Sequence, residues 1–306
     1  MPPEGLHHIT AITRDAPSNV NFYARILGLR LVKQTVNFDQ PDAYHLYYGD
    51  EDGAPGSILT FFEFSDSLPG RHGEGMVHTI QWRVGSPEAI AFWHERLSTR
   101  GVKTFPGDER CLAFADPEGL GNELLAVEAP DAPLAARADD IPAEHALLGF
   151  EGIRVYASDP ARSAELLERL GFVAGEAEAT WTARGEQRHA HYRYEPSPGR
   201  GTQGAGTVHH VAWSLADDAE LEQYAALARQ GGAQPTPIID RQYFHSVYFR
   251  EPSGVLFELA SRDIGFDLDE PRESLGSSLK LPDQYESRRG LIEPALTPIV
   301  NPRQVG

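Results

Sequence analysis

Residues 6–29 read LHHITAITRDAPSNVNFYARILGL, and residues 207–232 read TVHHVAWSLADDAELEQYAALARQGG. Each stretch opens with a β-prone run carrying a His-His doublet, passes an aspartate, and continues with helically spaced apolar residues to a glycine. Two looser copies lie between them, MVHTIQWRVGSPEAIAFWHERLSTRG at 76–101 and FEGIRVYASDPARSAELLERLGF at 150–172. Ser86-Pro87 and Asp159-Pro160 set a capping side chain before a proline at the first helical position. Ile90, Trp93 and Leu97 in the second copy, and Leu221, Tyr224 and Leu227 in the fourth, fall on one helix face. Gly28, Gly101, Gly171 and Gly231 are expected to close the helices with a positive φ.

Further strands follow each helix. The second and fourth copies end in similar hairpins, FADPEGLGNELLAVE at 114–128 and FREPSGVLFELAS at 249–261. In both, an acidic residue, a proline, one residue and a glycine make the turn, and the last strand bears a glutamate. The fold expected is α+β: four βαβββ modules at 6–64, 76–128, 150–195 and 207–261, forming two cupped mixed β-sheets with helices outside. By this reading, 1–130 is an N-terminal domain of two modules, 131–146 an Ala/Pro/Asp-rich linker and 147–262 a C-terminal domain. Residues 263–306 form a proline-punctuated tail lying on the body.

Composition excludes several function classes. With 45 acidic against 27 basic residues among 306, the net charge of −18 repels nucleic-acid phosphates and anionic membranes. No apolar run is long enough for a membrane span. The segment MPPEGLHHIT lacks a basic stretch followed by an apolar core, so no secretory signal is expected. The single cysteine, Cys111, rules out an internal disulfide and any CxxC motif, and reads as a half-buried strand residue. A cytoplasmic enzyme is the expectation, and a homo-oligomer is left open.

Histidine on a module's first strand and glutamate on its last resemble the vicinal oxygen chelate superfamily (glyoxalase, bleomycin resistance, dioxygenase). The segments GLHHITAIT, LVKQTVNFD, GTVHHVAWS, DRQYFHSVYFREPSGVLFELA and the tail motifs GFDLDEP and LKLP are similar to its hydroquinone-type ring-cleaving dioxygenases. The first and fourth modules carry most of the likeness. The resemblance implies a non-haem, extradiol-type dioxygenase that opens a small aromatic ring with O2 at a mononuclear Fe(II), Mn(II) being the alternative ion.

The residues themselves leave two ligand sets open. Asp15 lies seven residues after His8, and Asp217 seven after His210. The same offset counted from Gly85 and Asp159 selects His78 and Gly152. On this count histidine recurs at one strand position in three of four modules. Glutamate falls at Glu258 and Glu123; the first module offers only Thr60 or Glu63 nearby. His8, His78 and Glu123 would meet if consecutive modules pair, and His8, His210 and Glu258 if the first packs on the fourth. Two imidazoles and a carboxylate on one face make a facial triad suited to Fe(II) or Mn(II), with open positions for substrate and dioxygen.

The resemblance implies the second set. It also implies supporting roles for His7, His209 and Thr10, and a substrate pocket lined by Arg241 and Tyr248. Strict alternation, by contrast, turns His7 and His209 away from the ligand face unless a bulge returns them. It likewise puts Arg241, Tyr243, His245 and Val247 on one face, opposite Gln242, Phe244, Ser246 and Tyr248. Two other readings are a glyoxalase-type lyase or isomerase with a second carboxylate ligand, for which Glu63 is the candidate, and a metal-free resistance protein that binds a small molecule.

Overall fold

The computed structural model describes residues 2–304. Its strands come in four sets of four. The first module supplies β1 (Leu6–Thr13), β2 (Arg30–Val36), β3 (Tyr44–Gly49) and β4 (Ile58–Glu63). The second supplies β5 (Met76–Val84), β6 (Thr104–Pro106), β7 (Cys111–Ala115) and β8 (Gly121–Ala126). The third supplies β9 (Phe150–Ala157), β10 (Val173–Ala174), β11 (Thr180–Arg184) and β12 (His189–Pro196). The fourth supplies β13 (Val208–Leu215), β14 (Ile239–Asp240), β15 (His245–Arg250) and β16 (Leu256–Ser261).

One helix follows each first strand: α1 (Ala16–Val20, widening into a π-helical turn over Asn21–Ile26), α2 (Pro87–Thr99), α3 (Ala164–Arg169) and α4 (Asp218–Gln230). Asp15, Ser86 and Asp217 cap α1, α2 and α4 by accepting from backbone N–H groups of the first turn. Gly28, Gly101 and Gly171 take the positive φ expected of them. In α4 the left-handed residue is Gly232 (φ 86) rather than Gly231, so that helix runs one residue further than its pattern suggests.

The sheets are composed across the chain. One has the order β14-β15-β16-β13-β1-β4-β3-β2, joining the fourth module to the first; the other, β10-β11-β12-β9-β5-β8-β7-β6, joins the third to the second. β1 and β13 run antiparallel at the centre of the first sheet, each flanked by a parallel partner, β4 and β16. Each sheet is therefore a two-fold repeat of one motif, and both are mixed. A single apolar cluster links them, with Trp82, Trp93 and Trp213 fully buried.

Register slips in both sheets fix which residues are equivalent. Between β1 and β13, His7 and His209 are each an extra residue: Leu6 pairs with Trp213 and His8 with Ala212, then Thr10 with His210 and Ala11 with Val208. Between β5 and β9 the extra residues are His78 and Glu151. The observed cap of α2 is Ser86, not Gly85. Aligned on caps and bulges alike, the counterpart of His8 is Thr79 and that of His7 is His78. The expectation of histidine at the ligand position in three modules is thus corrected to two, His8 and His210.

The tail seals the outer strand β2. Lys33, wholly buried, sets its Nζ 2.5 Å from Asp269 and 2.6 Å from Glu270. Arg30 donates to the Glu273 and Leu275 carbonyls, and Gln34 to that of Gly276. An exposed strand edge is thereby covered. Short helical turns, α5 (Asp283–Glu286) and α6 (Arg289–Ile292), are the tail's α-helical elements. Among the described residues no helix is long and apolar enough to cross a membrane.

Candidate metal centre

Three side chains converge on the first sheet. His8 Nε2 lies 3.3 Å from His210 Nε2 and 3.2 Å from Glu258 Oε2, which is 2.9 Å from His210 Nε2. All three residues are buried. The parallel pairing of β13 with β16 sets Glu258 beside Ala212, while antiparallel pairing brings His8 to that same Ala212.

Hydrogen bonding fixes which nitrogens are free. His7 Nε2 lies 3.1 Å from the Ser261 carbonyl, which only accepts, so His7 carries its proton there. Burial, and then the neighbouring His8, push His7 down to about 3, so the ring is neutral and its Nδ1 is an acceptor. His8 Nδ1–H donates to it at 3.0 Å, and His8 Nε2 is left as a bare lone pair aimed at the centre. The doublet in β13 has the same Nδ1-to-Nδ1 contact, with His209 and His210 2.8 Å apart, and burial holds His209 at about 4. The bulges at His7 and His209 are what bring adjacent histidines to one side of the strand.

Glu258 is held from behind by Ser246, whose hydroxyl donates to Oε1 at 2.5 Å. Burial opposes ionisation of this carboxyl, but the His8 and His210 rings outweigh it and hold the group well below its ordinary range. Its Oε2 is buried without a hydrogen-bond donor. Nitrogen and oxygen ligands sit about 2.0–2.2 Å from a small divalent ion, so two at right angles are about 2.8–3.1 Å apart. The observed 2.9, 3.2 and 3.3 Å are at or just above that spacing, and the three donors fit a 2-His-1-carboxylate site for Fe(II) or Mn(II).

A cavity of about 360 Å³ opens onto this centre, walled by Phe62, Phe64, Ile239, Phe244 and Leu256, with His45, Arg241 and Tyr248 among its polar groups. Arg241 Nε donates to the Tyr248 hydroxyl at 3.3 Å, its guanidinium lies 5.3 Å from that ring, and Nη1 is 3.5 Å from Asp39. Alternation places Arg241 and Tyr248 on opposite faces. They meet because Gln242 adopts a positive φ of 69° in a turn before β15, which ends the alternation there. Thr10 stands behind the centre and accepts from Thr60 at 2.9 Å.

Several groups escape the sequence reading: Ser246 behind Glu258, and His45 and Tyr47 on β3. His45 and Tyr47 are two apart in YHLYYG, and that spacing is the only signal of a shared face. Glu63 is not a ligand candidate. Its Oε1 accepts from the Ala16 amide at 3.0 Å, at the start of α1. The residue that pairs with Thr10 as Glu258 pairs with Ala212 is Thr60. Thr60 thus occupies the two-fold mate of the Glu258 position.

Among the described residues, the second sheet brings no two histidines and a glutamate together at the positions equivalent to His8, His210 and Glu258. His78 stacks on Tyr156 at 3.8 Å with its Nε2 3.3 Å from Glu195, while Arg154 bridges Glu123 and Glu195 at 3.0 Å each. Glu151, His189 and His191 also lie close enough to share an ion. There, however, Arg83 donates to Glu151 at 2.5 Å and to Asp131 at 2.8 Å, so a cation is already built into the cluster.

The family model described as "Glyoxalase/Bleomycin resistance protein/Dioxygenase superfamily" matches residues 5–124 and 148–259. The chain belongs to this superfamily. It is 40% identical over 301 residues, 96% of each chain, to MhqO of Bacillus subtilis (strain 168), provisionally named a ring-cleaving dioxygenase. It is 32% identical, over 92% of each chain, to a chlorohydroquinone/hydroquinone 1,2-dioxygenase of Sphingobium indicum. The crystal structure of a provisionally named dioxygenase from Bacillus subtilis superposes with a TM-score of 0.90, at 38% identity and covering 98% of each chain. Glyoxalase I from Zea mays shares the fold, with a TM-score of 0.59 at 15% identity over 84% of this chain and 92% of its own.

Proposed function

We propose that the chain is a dioxygenase that opens a hydroquinone-type ring with O2, breaking the bond beside a hydroxyl-bearing carbon, with iron(II) held by His8, His210 and Glu258. One observation carries the reading: three ligand atoms are 2.9–3.3 Å apart at the head of an aromatic-walled cavity, while the symmetry-related fourth corner is Thr60. Bound iron(II) supplies a redox centre for dioxygen and an electrostatic pull on a ring hydroxyl. The rest is this chain's own. A cavity of about 360 Å³ is at the small end of ligand pockets, which suits one substituted ring. Its phenylalanines and aliphatic residues desolvate the ring and exclude water.

Tyr248 is set up to donate. Burial and then the charge of Glu258 raise its phenol above the ordinary range, so it keeps its proton. Its oxygen already accepts from Arg241, which leaves the O–H for a substrate oxygen. A glyoxalase-type reaction calls for a fourth ligand, a second carboxylate, and Thr60 cannot supply one.

Iron(II)-loaded protein is expected to consume dioxygen when given a substituted hydroquinone. Inertness toward hydroquinones and catechols, with isomerisation of a thiol hemithioacetal by the nickel-loaded chain, would overturn the proposal. Tyr248→Phe is expected to lower turnover at saturating substrate by roughly ten- to a thousandfold. Its melt should reflect only one ordinary hydrogen bond, about 0.5–1.5 kcal/mol. Wild-type turnover, or activity lost in step with unfolding, would reduce Tyr248 to scaffold.

A further inference from the structure

We infer that Asn37 reads the far oxygen of the bound ring: its side-chain amide donates to a hydroxyl para to the one at the metal centre, and so selects hydroquinones over simple phenols and catechols. The inference rests on the function proposed above. Asn37 follows directly on β2, and its backbone N–H donates to the Ala43 carbonyl at 2.9 Å, so the pairing of β2 with β3 continues through it. Lys33 pairs with Tyr47 and Thr35 with His45, and alternation carries Asn37 onto the same face. The residue is 8% exposed and lines the cavity that His8 and His210 also line.

Hydrogen bonding decides which end of the amide is free. The Asp39 backbone N–H donates to Asn37 Oδ1 at 2.9 Å, which fixes that atom as the oxygen. The other end, Nδ2, has no acceptor among the described residues. An amide –NH2 only donates, so what it lacks is an acceptor. A ring hydroxyl oxygen supplies one and a ring C–H does not. Neighbouring polar groups on β3 are already engaged, since the two ring nitrogens of His45 meet the Tyr47 and Thr60 hydroxyls at 2.8 and 2.9 Å.

The loop that carries Asn37 is held firmly. Gln40 N–H donates to the Asn37 carbonyl at 3.2 Å, and the Tyr285 hydroxyl of the tail donates to the Phe38 carbonyl at 2.7 Å. β2 and β14 are the two ends of the first sheet, yet Asp39, just past β2, lies 3.5 Å from Arg241 Nη1, just past β14. The sheet therefore curls until its ends meet over the cavity. The metal centre sits on strands β1, β13 and β16 in its interior, and Asn37 stands at the closing rim. In a cavity sized for one ring, a ring fixed at the centre by one oxygen turns its para position toward that rim. The second oxygen of a catechol stays beside the centre and leaves the amide unmet. A buried donor left unmet is costly, and that cost is what discriminates between ligands.

The test titrates the full chain, loaded with iron(II) and kept free of dioxygen, with hydroquinone and with 4-methylphenol, in which a methyl group replaces the far hydroxyl. The wild type should bind hydroquinone about tenfold more tightly, the worth of one buried hydrogen bond. Asn37→Leu, close in volume, and Asn37→Ala, too small to crowd the cavity, should each lower that ratio about tenfold by weakening hydroquinone alone. Catechol should bind both variants as it binds the wild type. A wild-type ratio near one, or a ratio that both variants keep, overturns the role of Asn37 alone. So does a loss that falls equally on hydroquinone, 4-methylphenol and catechol, which would make Asn37 a support of the loop. Failure of the wild-type protein to bind any of the three overturns the proposed function with it.

Discussion

Replacing Glu258 with alanine is expected to remove both metal retention and oxygen uptake. The carboxylate is the one anion of the three-atom set, and without it two neutral imidazoles face a dication in a buried site. Charge neutralisation and one coordinate bond are lost together, so metal per chain should fall at least tenfold after desalting, since losing even an orienting partner of a ligand reduces affinity roughly ten- to a hundredfold. Oxygen uptake with hydroquinone should fall to the background of the metal-free protein. His78→Ala is the matched control. His78 stacks on Tyr156 in the other sheet, and its variant should keep metal and activity. A Glu258→Ala protein that holds iron like the wild type, or a His78→Ala protein that loses it, would place the metal elsewhere.

The second large effect is expected at Lys33, outside the centre. Its ammonium is wholly buried between Asp269 and Glu270, at 2.5 and 2.6 Å. Lys33→Ala leaves the buried Glu270 carboxylate without its counter-ion, and breaking such a pair from one side destabilises by about 3–5 kcal/mol. Lys33→Met keeps the apolar stem but not the charge, and should lose most of the same stability. The damage should reach the cavity. Asp269 also accepts from Gln242 Nε2 and the Tyr243 hydroxyl, at 3.1 and 2.9 Å, and Gln242 is the positive-φ residue that aims Arg241 at Tyr248. Denaturant melts should show the loss of stability, and substrate affinity should weaken in parallel. A Lys33→Met variant within about 1 kcal/mol of wild type, below the range for a broken buried pair, would mean that the tail carboxylates are satisfied some other way.

Much of this architecture is legible locally. Period-two runs, capping aspartates and closing glycines mark the four modules, because each depends only on near neighbours. The doublets His7-His8 and His209-His210, with Glu258 in the final hairpin, mark the candidate ligands. What no local pattern holds is which modules share a sheet. β1 and β13 are about 200 residues apart, and their pairing is decided by packing over the whole molecule. The bulges at His7 and His209 are hidden for the same reason: an extra residue exists only relative to a partner strand. Counting from Gly85 instead of Ser86 shifted His78 into the ligand position, an error of a single residue that reverses a strand's faces. Strict alternation through Gln242 likewise separated Arg241 from Tyr248. Ser246, His45 and Tyr47 stayed invisible because serine, histidine and tyrosine in a strand carry no sign of their partners until the register is known.

The most direct measurement of the central claim is the fate of labelled dioxygen. Iron(II)-loaded protein is turned over with a substituted hydroquinone under ¹⁸O₂, and the product is weighed by mass spectrometry. A ring opened by a dioxygenase at His8, His210 and Glu258 predicts a ring-opened product formed with both atoms of one dioxygen molecule, and none from the Glu258→Ala protein. A product carrying no label, or an oxidised but intact ring, would contradict the account.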